Sequence, residues 1–419
     1  MSSATYDIVI IGTGIAGLYT AHRILQKDPK CKLLILERND HPGGRIQTFK
    51  HGSVSIEGGA GRFNQNHVLL LRLLKELNLE DLKVEIPGDI HFFPSTQTYD
   101  VQYINQSPFT VMNHVLQYAK KMSRTELRKF PFMEIVKRVF RNRPKDVQFL
   151  KDSFGYYQQL MEMNAFDAVK LFDEGMHSKN TFYTLKGGLS QIIQQLLYKI
   201  AVFPNVHVQY SHEVSDIKWL DDIQLFCVQV RRQAKQYLVK KCVAAIPKPG
   251  LQKLSIFRPI ENSYLRAIQI KPLCRIYTQF AKKDIWFRTI PKTTTNNTNR
   301  YIIPIDREQG WIMLSYTDSR YAHYWRNLAT QTKIVNKLRE NVQKTFGFKI
   351  AEPIKMKVCF WDVGTAFWKP QYNSHILSKR IIQPNMSYPL YICGENFSMN
   401  QGWMEGALET SEEVIKRIM

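Results

Sequence analysis

The stretch Ile8-Val9-Ile10-Ile11-Gly12-Thr13-Gly14-Ile15-Ala16-Gly17 constrains the fold more than any other part of the chain. An apolar run that reads as a buried strand passes directly into Gly-x-Gly-x-x-Gly, and an amphipathic helical pattern begins near Ile15. This is the form of a dinucleotide-binding turn. Gly12 permits the tight turn, Gly14 lets backbone approach a pyrophosphate, and Gly17 lets the helix lie close on the strand. The helix N-terminus adds free N–H groups and the positive end of its dipole. Three glycines alone are a weak signal. Here a second apolar strand, Leu33 to Leu36, ends at Glu37, twenty residues after Gly17, where a carboxylate can accept hydrogen bonds from an adenosine ribose. Arg38, the next residue, joins Glu37 among the candidates for the nucleotide site.

With 419 residues, 44% hydrophobic and 22% charged, the chain exceeds what one core usually fills, so two intertwined domains are expected. Residues Met1 to Thr5 are too short and polar for a secretory leader, and no run approaches about 18 apolar residues. Cysteines at 31, 227, 242, 274, 359 and 393 are scattered singly. These features point to a soluble protein with free thiols in a reducing, cytoplasmic compartment. No Cys-x-x-Cys or clustered His/Cys set suggests a metal.

The formal net charge of +22 repels small cations and attracts anions. It is densest from Lys120 to Lys151, where eleven Lys and Arg face only Glu126, Glu134 and Asp146. The run reads either as a solvated helical face or as a contact for an acidic partner such as nucleic acid or an anionic membrane. Without a zinc finger, an RNP motif or a basic heptad, sequence-specific reading is not expected.

Further along, Val68 to Leu79 predicts a helix with Val68, Leu71, Leu74 and Leu77 on its apolar face, and residues 109–173 read as mostly helical. Alternation marks strands at Val206–Gln209, Leu225–Val230, 242–246, 275–280 and 311–316. The polar patch Lys292 to Arg300 reads as a loop, and Asp318 or Ser319 is expected to cap one long helix reaching about Thr345. Leu390 to Glu395 reads as a short buried strand, followed by a helix from about Trp403 to Met419.

Three further segments add to the first turn: His41-Pro42-Gly43-Gly44-Arg45, Glu213-Val214-Ser215-Asp216-Ile217, and Leu390 to Glu395 with Gly402-Trp403-Met404-Glu405-Gly406-Ala407. Together they resemble the flavin-dependent amine oxidase family, which includes monoamine, polyamine and L-amino acid oxidases. The resemblance implies a two-domain α/β fold, with a Rossmann-type FAD-binding domain and a substrate domain of mixed sheet and helices. It implies FAD-binding segments at 1–85, 185–255 and 385–419, and substrate-domain segments at 86–184 (helical) and 256–384 (sheet). Gly44 and Arg45 would lie along the pyrophosphate, Val214 at the adenine, and Gly394 and Glu395 at the ribityl or ribose hydroxyls. Trp403 and Met404 would lie at the flavin N1 and C2 carbonyl. The segment Trp361 to Trp368 has no cysteine where monoamine oxidases attach the flavin, so the FAD is expected to be non-covalent.

The implied chemistry is hydride transfer from the carbon of a C–N bond to flavin N5, with O2 as acceptor and H2O2 as product. Trp361, Phe367, Trp368 and Tyr372 fall where relatives place an aromatic wall. Two departures stand out. Arg275 occupies the position at which many relatives hold a water to flavin N5 with a lysine. Gly59-Ala60-Gly61-Arg62-Phe63 is similar to the segment of L-amino acid oxidases whose arginine clamps the substrate carboxylate, so Gly61 and Arg62 join the candidate site. Alternatively, Arg62 pairs with Glu57 or the flavin phosphates. No general base is identified. A different reading of the same features is an altered FAD-binding protein with a structural or acidic-partner role.

Overall fold

The computed structural model describes residues 5–95, 99–231 and 236–419. The polar residues 1–4 lie outside it.

Two sheets organise the chain. In the first, the strands Gln236–Ala244, Thr5–Ile11, Leu33–Leu36 and Val206–Gln209 run parallel in that order. Parallel strands covered on both faces read as unbroken apolar runs. Leu33–Leu36 is accordingly buried at every position. The strand Gln236–Ala244 serves two neighbours on its other side. Leu225–Val230 pairs antiparallel near its start, and Leu390–Ile392 pairs parallel near its end. The last strand of the chain thereby reaches the level of the first turn. The helix Ile15–Lys27 packs against the C-terminal helix Met404–Ile418, and the Ser411 hydroxyl donates to the Ala16 carbonyl at 3.1 Å.

The second sheet has the order Lys355–Trp368, Ile268–Gln279, Trp311–Asp318, Tyr301–Asp306, Thr293–Thr294, His91–Phe92. Helices between Pro108 and Lys170 enclose their own apolar cluster around Met112, Phe132, Phe149 and Phe172. Among the described residues no helix is long and apolar enough to cross a membrane.

Three local expectations differ from the structure. The helix Val68–Glu76 buries Leu70, Leu73 and Leu74, while Val68 is 68% exposed. Its first turn is fixed from outside, because the Glu405 carboxylate accepts the N–H groups of Leu69 and Leu70 at 2.8 and 2.9 Å. The expected long helix after Asp318 is two, Ser319–Asn327 and Gln331–Phe346. Ala329 turns left-handed between them, at φ 61°, and the Thr330 hydroxyl caps the second by accepting the Lys333 N–H. The Thr/Asn-rich patch from Lys292 to Arg300 is not a surface loop: Thr293, Thr294, Thr295, Asn299 and Arg300 are fully buried. Several of its polar groups are paired internally, although Thr294 Oγ1, Asn299 Nδ2 and Arg300 Nε have no hydrogen-bond partner among the described residues. Asn341 donates to Thr298 and Asn299, each at 2.7 Å, and Arg300 donates to the carbonyls of Lys151 and Phe154 at 3.0 and 2.7 Å.

Candidate functional site

The first turn has the shape its residues require. Gly12 sits at φ +106°, a conformation that costs other residues strain. A Cβ on Gly17 would lie 2.1 Å from the Gly12 carbonyl oxygen, so only hydrogen fits between helix and strand. A Cβ on Gly14 would meet nothing within 4 Å, and this residue has ordinary extended backbone at φ −68°. Gly14 therefore borders open space at the N-terminus of the helix Ile15–Lys27. Glu37 is 6% exposed and accepts the Thr13 N–H at 2.9 Å and the Thr13 hydroxyl at 2.8 Å through Oε2. Its Oε1 accepts the Asn39 N–H at 2.9 Å. Arg38 is exposed beside it. The His212 N–H donates to the Glu37 carbonyl at 2.7 Å, which brings the start of the strand Val214–Leu220 to the same end of the sheet.

The second glycine segment lies against the first, with the Gly43 N–H donating to the Thr13 carbonyl at 2.9 Å. A Cβ on Gly44 would come within 3.6 Å of Gly14 Cα. Arg45 then reaches the far end of the chain: its Nη2 donates to Glu395 Oε2 at 2.7 Å. Glu395 is held by the Asn396 amide at 2.7 Å and the Gly402 N–H at 2.8 Å. Gly394, at φ +134°, makes the turn into it. Trp403 is the residue before the helix that begins at Met404, whose N-terminal N–H groups are free of side-chain caps. Residues near 12, 44, 214, 395 and 403 thus converge on one edge of the parallel sheet. The arrangement suits a dinucleotide: open glycine backbone, a helix N-terminus, a guanidinium and two buried carboxylates.

Next to this cradle the segment 57–62 crosses the second sheet. Gly59 passes so close to Arg45 that a Cβ would lie 2.0 Å from the Arg45 carbonyl oxygen. Arg275, on Ile268–Gln279, is 7% exposed and donates from Nη1 to the Glu57 carbonyl at 2.9 Å. The Tyr277 hydroxyl donates to the same oxygen at 2.7 Å. Gly61 lies directly under this guanidinium: a Cβ there would lie 2.9 Å from Arg275 Nη1 and would require the arginine to shift. The Arg275 guanidinium also lies 4.5 Å from the centre of the Tyr316 ring. Burial opposes its charge, but the oxygens of Tyr316 and Tyr277 hold its pKa above the ordinary value.

Arg62 makes no ion pair among the described residues. Its guanidinium lies 4.1 Å from the centre of the Phe182 ring and 5.9 Å from that of Trp403, and Nη2 donates to the Tyr156 hydroxyl at 3.3 Å. Pairing with Glu57 does not occur. The Glu57 carboxylate instead accepts the Leu189 N–H at 2.7 Å and the Thr48 hydroxyl at 2.9 Å. His67 sits edge-on to Trp403, and burial followed by the Arg62 charge lowers its pKa to about 3, so it is neutral.

The aromatic residues around the two arginines are Tyr156, Tyr301 and Tyr316, with ring centres 5.3 to 5.7 Å apart. Burial pushes the Tyr156 hydroxyl up to about 12. Lys292 is close enough to Arg62 to feel its charge. Burial and that repulsion hold its ammonium well below the usual value, against the pull of exposed Asp89. Sequence reasoning missed these four residues. The available signal was Tyr316, at the end of the recognised strand 311–316; Tyr156 precedes a helix, and Tyr301 starts a strand, Tyr301–Asp306, that the sequence reading did not find.

The expected aromatic wall divides differently. Trp361 is half-buried, and its Nε1 donates to the Gly58 carbonyl at 2.7 Å, beside the Arg62 segment. Phe367 and Trp368 are 1% and 0% exposed and pack in two separate apolar clusters, with Trp368 Nε1 donating to the Ser398 carbonyl at 2.9 Å. The structure gives these two packing roles and does not bring them to Arg62. Tyr372 packs against the same cluster as Trp368.

Glu57 supplies a pH test of this architecture. Burial raises its pKa from 4.5 to about 7, against the hydrogen bonds from Leu189 and Thr48 and the charge of Arg275. The folded state then binds more protons than the unfolded state between those values. This group's contribution to stability therefore falls as pH rises through the window, by at most about 1.4 kcal/mol per pH unit. Glu57→Gln is expected to flatten the fall of Tm between pH 4.5 and 7. A Tm profile parallel to that of the parent protein would contradict the assignment.

The glycine turns, helix N-termini and buried carboxylates, opening on an arginine and tyrosine site, form an arrangement suited to a dinucleotide-binding protein. The sequence pattern of flavin containing amine oxidoreductases matches residues 15–419, and the chain belongs to that family. It is 20% identical to an uncharacterised protein of Acanthamoeba polyphaga mimivirus, over 98% of this chain and 93% of that one. It is 20% identical to Aplysianin-A of Aplysia kurodai, over 98% and 90% of the two chains. A segment of 87 residues, 20% of this chain and 16% of the relative, is 34% identical to amine oxidase [flavin-containing] A of Equus caballus.

Proposed function

We propose that this protein is an FAD-dependent oxidase acting on a carboxylate-bearing amine, an amino acid in the simplest case. The observation that carries the reading is Arg62: a half-buried guanidinium without an ion pair among the described residues, set among Tyr156, Phe182 and Trp403. An unpaired charge in such surroundings costs stability. A substrate carboxylate would neutralise it through fork-like hydrogen bonds and so orient the α-carbon. Family membership supports the flavin and the oxidoreductase class.

The flavin, when bound, accepts hydride from the carbon bearing the amine. The residues proposed to hold it are Gly12, Gly14, Gly17, Glu37, Arg38, Gly44, Arg45, Val214, Gly394, Glu395, Trp403 and Met404. Arg62 binds and orients the substrate. Tyr156, Tyr301, Tyr316 and Trp361 form the wall that excludes water. Non-covalent binding is favoured by the cysteines themselves: Cys359 and Cys393 are buried, and burial raises both thiols, Cys393 to about 11.

Arg275 keeps a permanent charge and cannot readily release a proton. Its fork is fixed on the Glu57 carbonyl. We expect it to support flavin binding and to slow reaction with O2, so Arg275→Lys should speed reoxidation of the reduced protein. An unchanged rate in stopped-flow mixing with O2 would remove that role. The overall reading is tested by H2O2 release across amino acids and polyamines. Activity confined to spermine-like amines would sink the carboxylate assignment.

A further inference from the structure

Away from this site, the basic helices Phe132–Val139 and Pro144–Ser153 frame a groove of about 400 Å³. That lies within the range of roughly 300–1,000 Å³ typical of pockets for small organic ligands. Met133, Phe140, Val147 and Met161 form its apolar part, and Lys137, Arg141 and Lys151 its cationic part. The sequence explains the arrangement. Lys137 lies in the last turn of one helix and Arg141 in the turn that follows it, and Pro144, Val147, Gln148 and Lys151 share one face of the next.

The acids of this region are committed elsewhere. Lys120 pairs with Asp173 at 2.8 Å, Arg138 with Glu126 and Glu134 at 3.7 Å, Arg143 with Asp146 at 2.5 Å, and Lys145 with Asp100 at 2.9 Å. Asp152 accepts from Tyr99 and from Gln148, the latter at 2.7 Å. Among the described residues, Lys137, Arg141 and Lys151 have no side-chain partner. Of the cations in the basic run that make no ion pair, these three line the concave surface, while Lys121, Arg124, Arg128 and Lys129 lie outside its lining.

We propose that this groove binds a single-chain lipid with a phosphate headgroup, the chain on the Met133, Phe140, Val147 and Met161 surface and the phosphate among Lys137, Arg141 and Lys151. A phosphomonoester carries about −1.5 to −2 charge and three acceptor oxygens, which matches three cations in number and sign. Methionine adapts its shape to a flexible chain. Nucleic acid would supply the charge and leave the apolar surface unfilled, and a flat bilayer does not enter a concavity. The proposal is independent of the flavin chemistry.

The test is calorimetric titration of the flavin-loaded full chain with dodecyl phosphate below its micellar concentration. Inorganic phosphate, dodecyl maltoside, duplex DNA and vesicles of anionic diacyl lipid serve as separate arms. Dodecyl phosphate is expected to bind one to one and at least about tenfold more tightly than inorganic phosphate or the maltoside, since it alone uses both charge and chain. The double variant Lys137→Gln/Arg141→Gln, at exposed positions, should weaken it by about tenfold or more with Tm unchanged. Val147→Trp, which fills the groove, should weaken dodecyl phosphate and leave inorganic phosphate unaffected. Equal binding of dodecyl phosphate and either control overturns the proposal, as does an affinity unmoved by the double variant. Binding seen only with DNA, or only with vesicles, also overturns it and makes the basic run a different kind of surface.

Discussion

Arg62→Met is expected to lower kcat/KM for an amino acid substrate by roughly 100- to 1,000-fold, the equivalent of losing about 3–4 kcal/mol when one partner of a buried charge pair is truncated. Methionine keeps an unbranched stem against Phe182 and Trp403, so packing is largely conserved. Because Arg62 has no ion pair, the free protein should not lose stability. Activity on the matching amine without a carboxylate should be unchanged or raised. Steady-state kinetics on the two substrates, with a melting curve for each protein, checks all three statements. A fall in Tm that tracks the fall in activity would make Arg62 a structural residue instead.

Gly14→Ala is expected to cost roughly 100-fold in flavin affinity, at the upper end of the ~1–3 kcal/mol that overpacking imposes on a close contact. The protein itself gives no reason for a loss. An added Cβ meets nothing within 4 Å, and φ −68° suits alanine. The apoprotein should therefore melt at the parent temperature while retaining little flavin through gel filtration. Gly17→Ala is the contrasting control, because its Cβ would lie 2.1 Å from the Gly12 carbonyl oxygen and the fold itself should fail. Full flavin retention by Gly14→Ala would mean that no pyrophosphate approaches this backbone.

The cradle was legible because its signals are local. Strand, glycines and helix from Ile8 to Gly17 are contiguous, and Gly17 answers to a steric demand only five residues away, the Gly12 carbonyl. Arg62 and Arg275 were legible from resemblance, but their surroundings were not. Tyr156 reaches Arg62 across 94 residues of chain, and Lys292, Tyr301 and Tyr316 reach it across still longer stretches, through the antiparallel second sheet and the helical segment, where no periodicity announces a neighbour. Composition misled at Thr293 to Arg300, which is polar yet largely buried, with Asn341 and backbone carbonyls pairing part of its polar surface. Aromatic content misled at Phe367 and Trp368, which fill apolar clusters. On the expected apolar face of the helix Val68–Glu76, Leu71, Leu74 and Leu77 pack on the core and only Val68, at its exposed first position, does not.

The most direct measurement is anaerobic mixing of the purified protein with pairs of compounds, each an amino acid and its decarboxylated amine, while the visible absorbance of the flavin is followed. Bleaching by at least one amino acid, with little or none from its amine, is the predicted result. Bleaching by amines alone, or no bleaching by any amine or amino acid, would contradict an oxidase that holds its substrate by a carboxylate at Arg62.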